Sequence, residues 1–143
     1  MMEVTAGSGL DITQIEAGWT RASAREALSR RLTLTARFQD RPTLIGCQTD
    51  HIARGALDAL ANLANELDQP ALRSIPVTGC DATAKMGRVM VDSGELIASV
   101  ELPRAGKHAI ELLARHIVGK PTTQFTYLHG VSYPAESQLS ALA

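Results

Sequence analysis

Aromatic residues make up only 3% of the chain, and there is a single tryptophan, Trp19. A core built with so few rings must be packed with aliphatic side chains, which makes the position of Trp19 informative. The chain has only two cysteines, Cys47 and Cys80. Two cysteines make neither a disulfide framework nor a zinc motif. Both fall at the ends of expected strands and read as buried free thiols. There is no basic surplus either: 14 Lys and Arg stand against 15 Asp and Glu, a net charge of -1. Arg30-Arg31 is too short to be a patch, so nucleic acid is not an expected partner. No apolar run approaches the roughly 20 residues of a membrane span. The opening MMEVTAGSGLDITQ has neither the cationic nor the apolar region of a secretion signal.

Catalytic signatures are missing as well. There is no G-x-S-x-G elbow, no phosphate-binding G-x-x-x-x-G-K followed by Ser or Thr, and no H-E-x-x-H. The four histidines, His51, His108, His116 and His129, are scattered and read as surface or core imidazoles. No catalytic residue, metal site or cofactor is expected, and the chain is read as something other than an enzyme.

What is present is a regular alternation. Ile12–Ala17 reads as a short strand with Gly18-Trp19 at its end. Thr20 then caps a helix that places Ala24, Ala27, Leu28 and Leu32 on one face. RPTLIGC is an apolar strand ending in Gln48-Thr49-Asp50, with Asp50 expected to cap the next helix. That helix has a broad apolar stripe of Ile52, Ala53, Ala56, Leu57, Leu60, Ala61 and Ala64, suited to packing on a sheet. It breaks at Asp68-Gln69-Pro70.

The third strand is Ile75–Thr78. A helix over Thr83–Ser93 follows, with Met86, Val89 and Met90 inward and Gly94 as its left-handed stop. Leu96–Val100 is the fourth strand. A helix after Pro103 buries Ala109, Ile110, Leu112, Leu113 and Ile117. QFTYLHGVSYP is a last extended segment, and 135–143 is a tail, frayed or a short helix. Strands alternating with helices predict βαβ units: an α/β fold of three layers, αβα, with a mostly parallel sheet.

Ligands of such sheets bind beyond the carboxyl ends of the strands. Those ends hold Trp19, Gln48, Thr49, Asp50, Cys80, Asp81 and Glu101. Carboxylates and amides pair with adjacent hydroxyls, and an indole covers the C–H face of a sugar ring. Trp19, Gln48, Asp81 and Glu101 supply that inventory. Each also has a plainer reading: Asp81 as a helix cap, Glu101 as a solvated charge, Asp50 as a structural cap and Trp19 as a core plug.

Four segments in order carry a resemblance: GW with SAREAL, PTLIGCQTDHIARGALDAL, VTGCDATAKMGRVMVDSGELIASVELP and AGKHAIELLARHIVGKP. Together, over about residues 12 to 133, the chain resembles the C-terminal part of type I periplasmic binding proteins. These are the sugar receptors of ABC transporters, akin to the effector domains of lactose-repressor-type regulators.

The resemblance implies a Rossmann-like partial lobe over 1–134, with 103–118 as the helix that crosses to the other lobe. It implies sugar contacts at Trp19, Thr49, Cys80, Asp81 and Glu101. Trp19 and Asp81 keep the family's residue types. Thr49, Cys80 and Glu101 replace an amide, an aromatic and an amide.

The implied function is non-catalytic carbohydrate binding, weak or inactive in an isolated half-site, with an ABC transporter permease as partner of a full-length receptor. The alternative is an effector or assembly domain of a transcriptional or signalling regulator. A lone lobe leaves a helix face and a sheet edge uncovered, so a homodimer or domain-swapped pair is expected. The compartment is periplasmic for part of a secreted receptor and cytoplasmic for a chain complete as it stands.

Overall fold

The computed structural model describes residues 9–35 and 42–139. Its helices are α1 (Arg21–Thr35), α2 (Asp50–Glu66), α3 (Gly87–Asp92), α4 (Ala105–Ile117) and α5 (Glu136–Leu139). Its strands are β1 (Ile45–Gly46), β2 (Val77–Asp81), β3 (Ala98–Glu101) and β4 (Val131–Tyr133). They form one sheet in the order β1-β2-β3-β4. The first three are parallel and β4 runs antiparallel to β3. This is the expected α/β class with a mostly parallel sheet.

The core lies between α1, α2 and the sheet. Leu28 and Leu32 of α1 meet Ala53, Ala56, Leu60 and Leu63 of α2, with Val77, Met90 and Leu96 beneath. The aliphatic stripes read from the sequence are therefore the ones that pack. Thr20 caps α1 as expected: its Oγ1 accepts from the Ser23 N–H at 3.1 Å, while Ser23 Oγ accepts from the Thr20 N–H at 3.2 Å. Close approach of α1 to α2 depends on Gly55, because a methyl there would collide with the Arg21 carbonyl oxygen and sit 2.9 Å from Ala24 Cβ. Beside it, Arg21 grips Asp58 through two bonds of 2.5 and 2.8 Å. That pair is exposed and adds orientation more than stability.

Several boundaries differ from expectation. Residues 12–17 form no strand. Leu10, Ile12 and Ile15 are exposed there, and a strand with neither ladder partner nor buried face has nothing to stabilise it. The sheet thus has three parallel strands rather than four, and Trp19 sits in a bend before α1 rather than at a strand end. The strand read over RPTLIGC is ordered as a ladder only at Ile45–Gly46; Arg41 lies outside the described residues. β2 begins later than Ile75 and runs through Asp81, and β3 ends at Glu101.

The helix expected over 83–93 starts only at Gly87, because Asp81 and Ala82 have φ of 106° and 44° and turn the chain before it can wind. Val89 faces solvent instead of the core, whereas Met90 is fully buried. Gly94, at φ 76°, is the predicted stop. The tail forms α5, with 140–143 outside the described residues.

Helix α4 departs from the burial read in its own apolar pattern. No residue of this helix is buried, and Ile110 and Ile117 are 70% and 73% exposed. The apolar side read from the sequence exists but is not buried by any other part of the described residues. No helix among the described residues is long and apolar enough to cross a membrane.

Gly55→Ala should cost about 1–3 kcal/mol, the usual range for overpacking. Urea denaturation of the variant against the parent measures it, with an unchanged slope showing that the same state unfolds.

Candidate functional site

The three parallel strands end along one rim, where β1 leads into α2 and β2 turns toward α3. Thr49, not Asp50, caps α2: Thr49 Oγ1 accepts from the Ile52 N–H at 3.1 Å. The reason is that Asp50 is turned inward. It is only 2% exposed, and its Oδ1 accepts from Ser99 Oγ at 2.7 Å. Ser99 Oγ in turn accepts from the Ala82 N–H at 3.2 Å. The carboxylate fits because Gly79 and Gly87 lack side chains; a methyl on either would strike it. Asp50 Oδ2 is buried without a hydrogen-bond partner among the described residues.

This chain of bonds fixes the turn that presents Asp81. Positive φ is uncommon for residues other than glycine, and two such residues in a row persist only where surroundings impose them. Here Ser99 holds the Ala82 N–H and Arg88 Nε donates to the Ala82 carbonyl at 3.3 Å. The same guanidinium donates to Glu101 Oε2 at 2.6 Å and lies 5.1 Å from the centre of the Tyr133 ring. Tyr133 donates to Asp92 Oδ1 at 2.6 Å, joining β4 to the end of α3.

Asp81 and Glu101 are register partners on β2 and β3. Successive residues of an extended strand face opposite sides, so Glu101 shares the face of Ser99, while Asp81 ends β2 on a left-handed backbone. Burial raises the Asp81 carboxyl above the ordinary range, the charge on Asp50 raises it further, and nearby His51 opposes both. The rim therefore carries one carboxylate already paired with arginine and one beside a histidine. Both are half-buried, each with acceptor capacity open to a ligand.

The other expected site residues are placed differently. Cys80 is paired in register with Val100 and projects to the face opposite that of Gly79 and Ser99. Thr49 is partly engaged in its cap. Trp19 is 72% exposed, which excludes a core plug, and it leads into a helix whose first turn lies on Gly55 and Asp58 of α2. Gln48 is exposed between β1 and the cap.

Arg88, Ser99 and Tyr133 were not singled out in the sequence. Ser99 left a signal, a polar residue two positions before Glu101 and so on the same strand face. Arg88 left none beyond its charge, since the turn that delivers it to Glu101 was read as helix.

Both cysteines are free thiols. Cys47 donates its N–H to Thr78 O, which aligns it with Gly79 and turns it away from Cys80. They cannot be bridged without moving the backbone. Burial pushes the Cys47 thiol up to about 11, and burial also raises Cys80.

No protein-family model and no curated protein matches this chain. Solved structures do. An ABC transporter periplasmic solute-binding protein from Actinobacillus succinogenes, solved with D-allose, is 22% identical with a TM-score of 0.65, covering 87% of this chain and 41% of that one. The fructose-binding periplasmic domain of a hybrid two-component system is 20% identical with a TM-score of 0.71, covering 97% and 44%. A LacI-family regulator from Arthrobacter, in complex with lactose, is 24% identical with a TM-score of 0.63, covering 86% and 43%. The chain thus has the fold of the periplasmic binding proteins and spans less than half the length of these structures. The resemblance read in the sequence holds at the level of fold.

Ser99→Ala should destabilise the protein by about 1–3 kcal/mol, because it strands Asp50 Oδ1 and the Ala82 N–H together; thermal unfolding at neutral pH measures the loss. Cys47 should react with a thiol reagent about a hundredfold more slowly than an unperturbed cysteine near pH 8, since only the thiolate attacks. Stopped-flow alkylation of a Cys80→Ser variant isolates that rate.

Proposed function

We propose that this chain is a non-catalytic carbohydrate-binding module. Asp81 and Glu101 accept hydrogen bonds from adjacent sugar hydroxyls, Thr49 and Cys80 border the site, and Trp19 covers the C–H side of the ring. The observation that carries this reading is the register pairing of Asp81 with Glu101 at the carboxyl ends of parallel strands, where sheets of this kind bind ligands. Glu101 is held by a part-buried bond to Arg88, and the residue after Asp81 is held by Ser99 and Arg88, which favours a site that discriminates hydroxyl geometry. Solved proteins of the same fold bind D-allose, fructose and lactose, which supports the ligand class. Such a role in a longer receptor brings an ABC transporter permease as partner.

An open rim buries only part of a sugar, whereas small-molecule sites normally enclose most of their ligand. The affinity expected of this chain alone is therefore millimolar. Titration calorimetry with a pentose and hexose panel tests it. Weak binding that falls about tenfold or more in Asp81→Asn, the value of one charge-assisted bond, is the expected result. Micromolar binding would refute the open half-site, and no response from any sugar at high concentration would refute the ligand class.

The exposed apolar side of α4 favours a second reading, an effector or assembly domain that self-associates. Ile110, Leu113 and Ile117 form one stripe at helical spacing, and such stripes are normally covered. In this reading a homodimer or swapped pair forms through α4. Light scattering coupled to size exclusion should then give a dimer that Ile110→Asp with Ile117→Asp returns to monomer. A monomeric parent chain at tens of micromolar would end that reading.

A further inference from the structure

We propose that Arg88 is the positioning residue of this rim, setting both carboxylates, Asp81 and Glu101, with a single guanidinium. The inference rests on the carbohydrate reading for its ligand, but its geometric content stands apart from it.

Three observations converge on Arg88. Its Nη2 binds Glu101 Oε2 at 2.6 Å, which fixes one acceptor and occupies one of its two oxygens. Its Nε binds the Ala82 carbonyl at 3.3 Å. Ala82 is the second of the two positive-φ residues, so this bond holds the carbonyl side of the residue that follows Asp81, opposite the N–H that Ser99 holds. Its plane lies against Tyr133, itself tied to Asp92 on the arginine's own helix. A planar guanidinium with a rigid fork can serve all three at once, whereas an ammonium is a single point of charge.

The consequence for recognition is chemical. Pairing with Arg88 offsets the charge on Glu101, while Asp81 keeps its own carboxylate beside His51. A neutral polyol meets two acceptors there, of which Glu101 is fixed by Arg88. A uronic acid or sugar phosphate meets Asp81 with no free cation supplied by Arg88. The site is built for neutral sugars.

The test uses the full chain, isotope-labelled, as parent, Arg88→Met and Arg88→Lys, with amide exchange by NMR and titration with D-allose and D-glucuronate. In Arg88→Met the Ala82 amide should exchange about tenfold faster or more, as local opening becomes cheaper, while Leu60 and Met90 keep their protection. D-allose affinity should fall by a similar factor. Arg88→Lys should restore the parent shifts at Glu101 but not the protection of Ala82, a split that a general loss of stability would not produce.

Unchanged exchange at Ala82 with unchanged shifts at Asp81 and Glu101 in folded Arg88→Met overturns the proposal. If that variant does not fold, parent-like Ala82 protection in Arg88→Lys overturns it instead. Binding of D-glucuronate by the parent as tightly as D-allose overturns the charge argument. If no sugar binds the parent while Ala82 still loosens, the positioning role is upheld and the carbohydrate reading is what fails.

Discussion

The buried carboxylate of Asp50 is the constraint on which the rest of this structure depends. It sits in the first turn of α2, close to the backbone dipoles that favour an anion there. From that position it reaches under β2 to Ser99 of β3. One side chain thereby locks the helix, the middle strand and its neighbour into a fixed relation. Leaving such a group buried without partners is costly, so the structure meets it with a serine and with two glycines that make room. Ser99 passes the constraint on to Ala82, and the unusual backbone at Asp81 and Ala82 follows from it.

A second layer of the same device lies nearer solvent. Arg88 closes on Glu101 and on the Ala82 carbonyl, and Tyr133 backs the guanidinium. The interior network is neutral on its donor side and buried, whereas the outer one is ionic and half-exposed. Their meeting point is a single alanine whose N–H and carbonyl are held by different networks. That arrangement turns two ordinary strand ends into a pair of oriented acceptors. On the proposed reading, specificity lies less in the carboxylates themselves than in the bonds that hold the turn around them.

Much of this was legible in the residues, for identifiable reasons. The helices α1 and α2 announced themselves through period and caps, since aliphatic stripes such as Ala53, Ala56 and Leu60 have one reading at that spacing. The parallel order and the rim positions of Asp81 and Glu101 followed from alternation. What stayed hidden depends on contacts distant in sequence. Asp50 reads as a cap until Ser99, far along the chain, is seen to claim it. The late start of α3 was invisible because the backbone at Asp81 and Ala82 is imposed by tertiary bonds rather than by local propensity. Ile12–Ala17 has the composition of a strand but finds no ladder. The exposure of α4 could not be read from its own residues, because an amphipathic pattern states that a face is apolar without stating what covers it; only the resemblance to one lobe of a two-lobed family pointed to an uncovered helix face.

Tyr133 belongs to the last strand, yet it backs the arginine that orders residues of β2 and β3. During synthesis the chain emerges from its amino end, and early elements begin to fold before late ones exist. Helices α1 to α4 and the three parallel strands have left the ribosome before β4 does. The rim therefore matures last: a nascent chain paused short of β4 would hold its hydrophobic centre but lack the ring that backs Arg88, and on the proposed reading the competence to recognise a ligand would arrive only with β4.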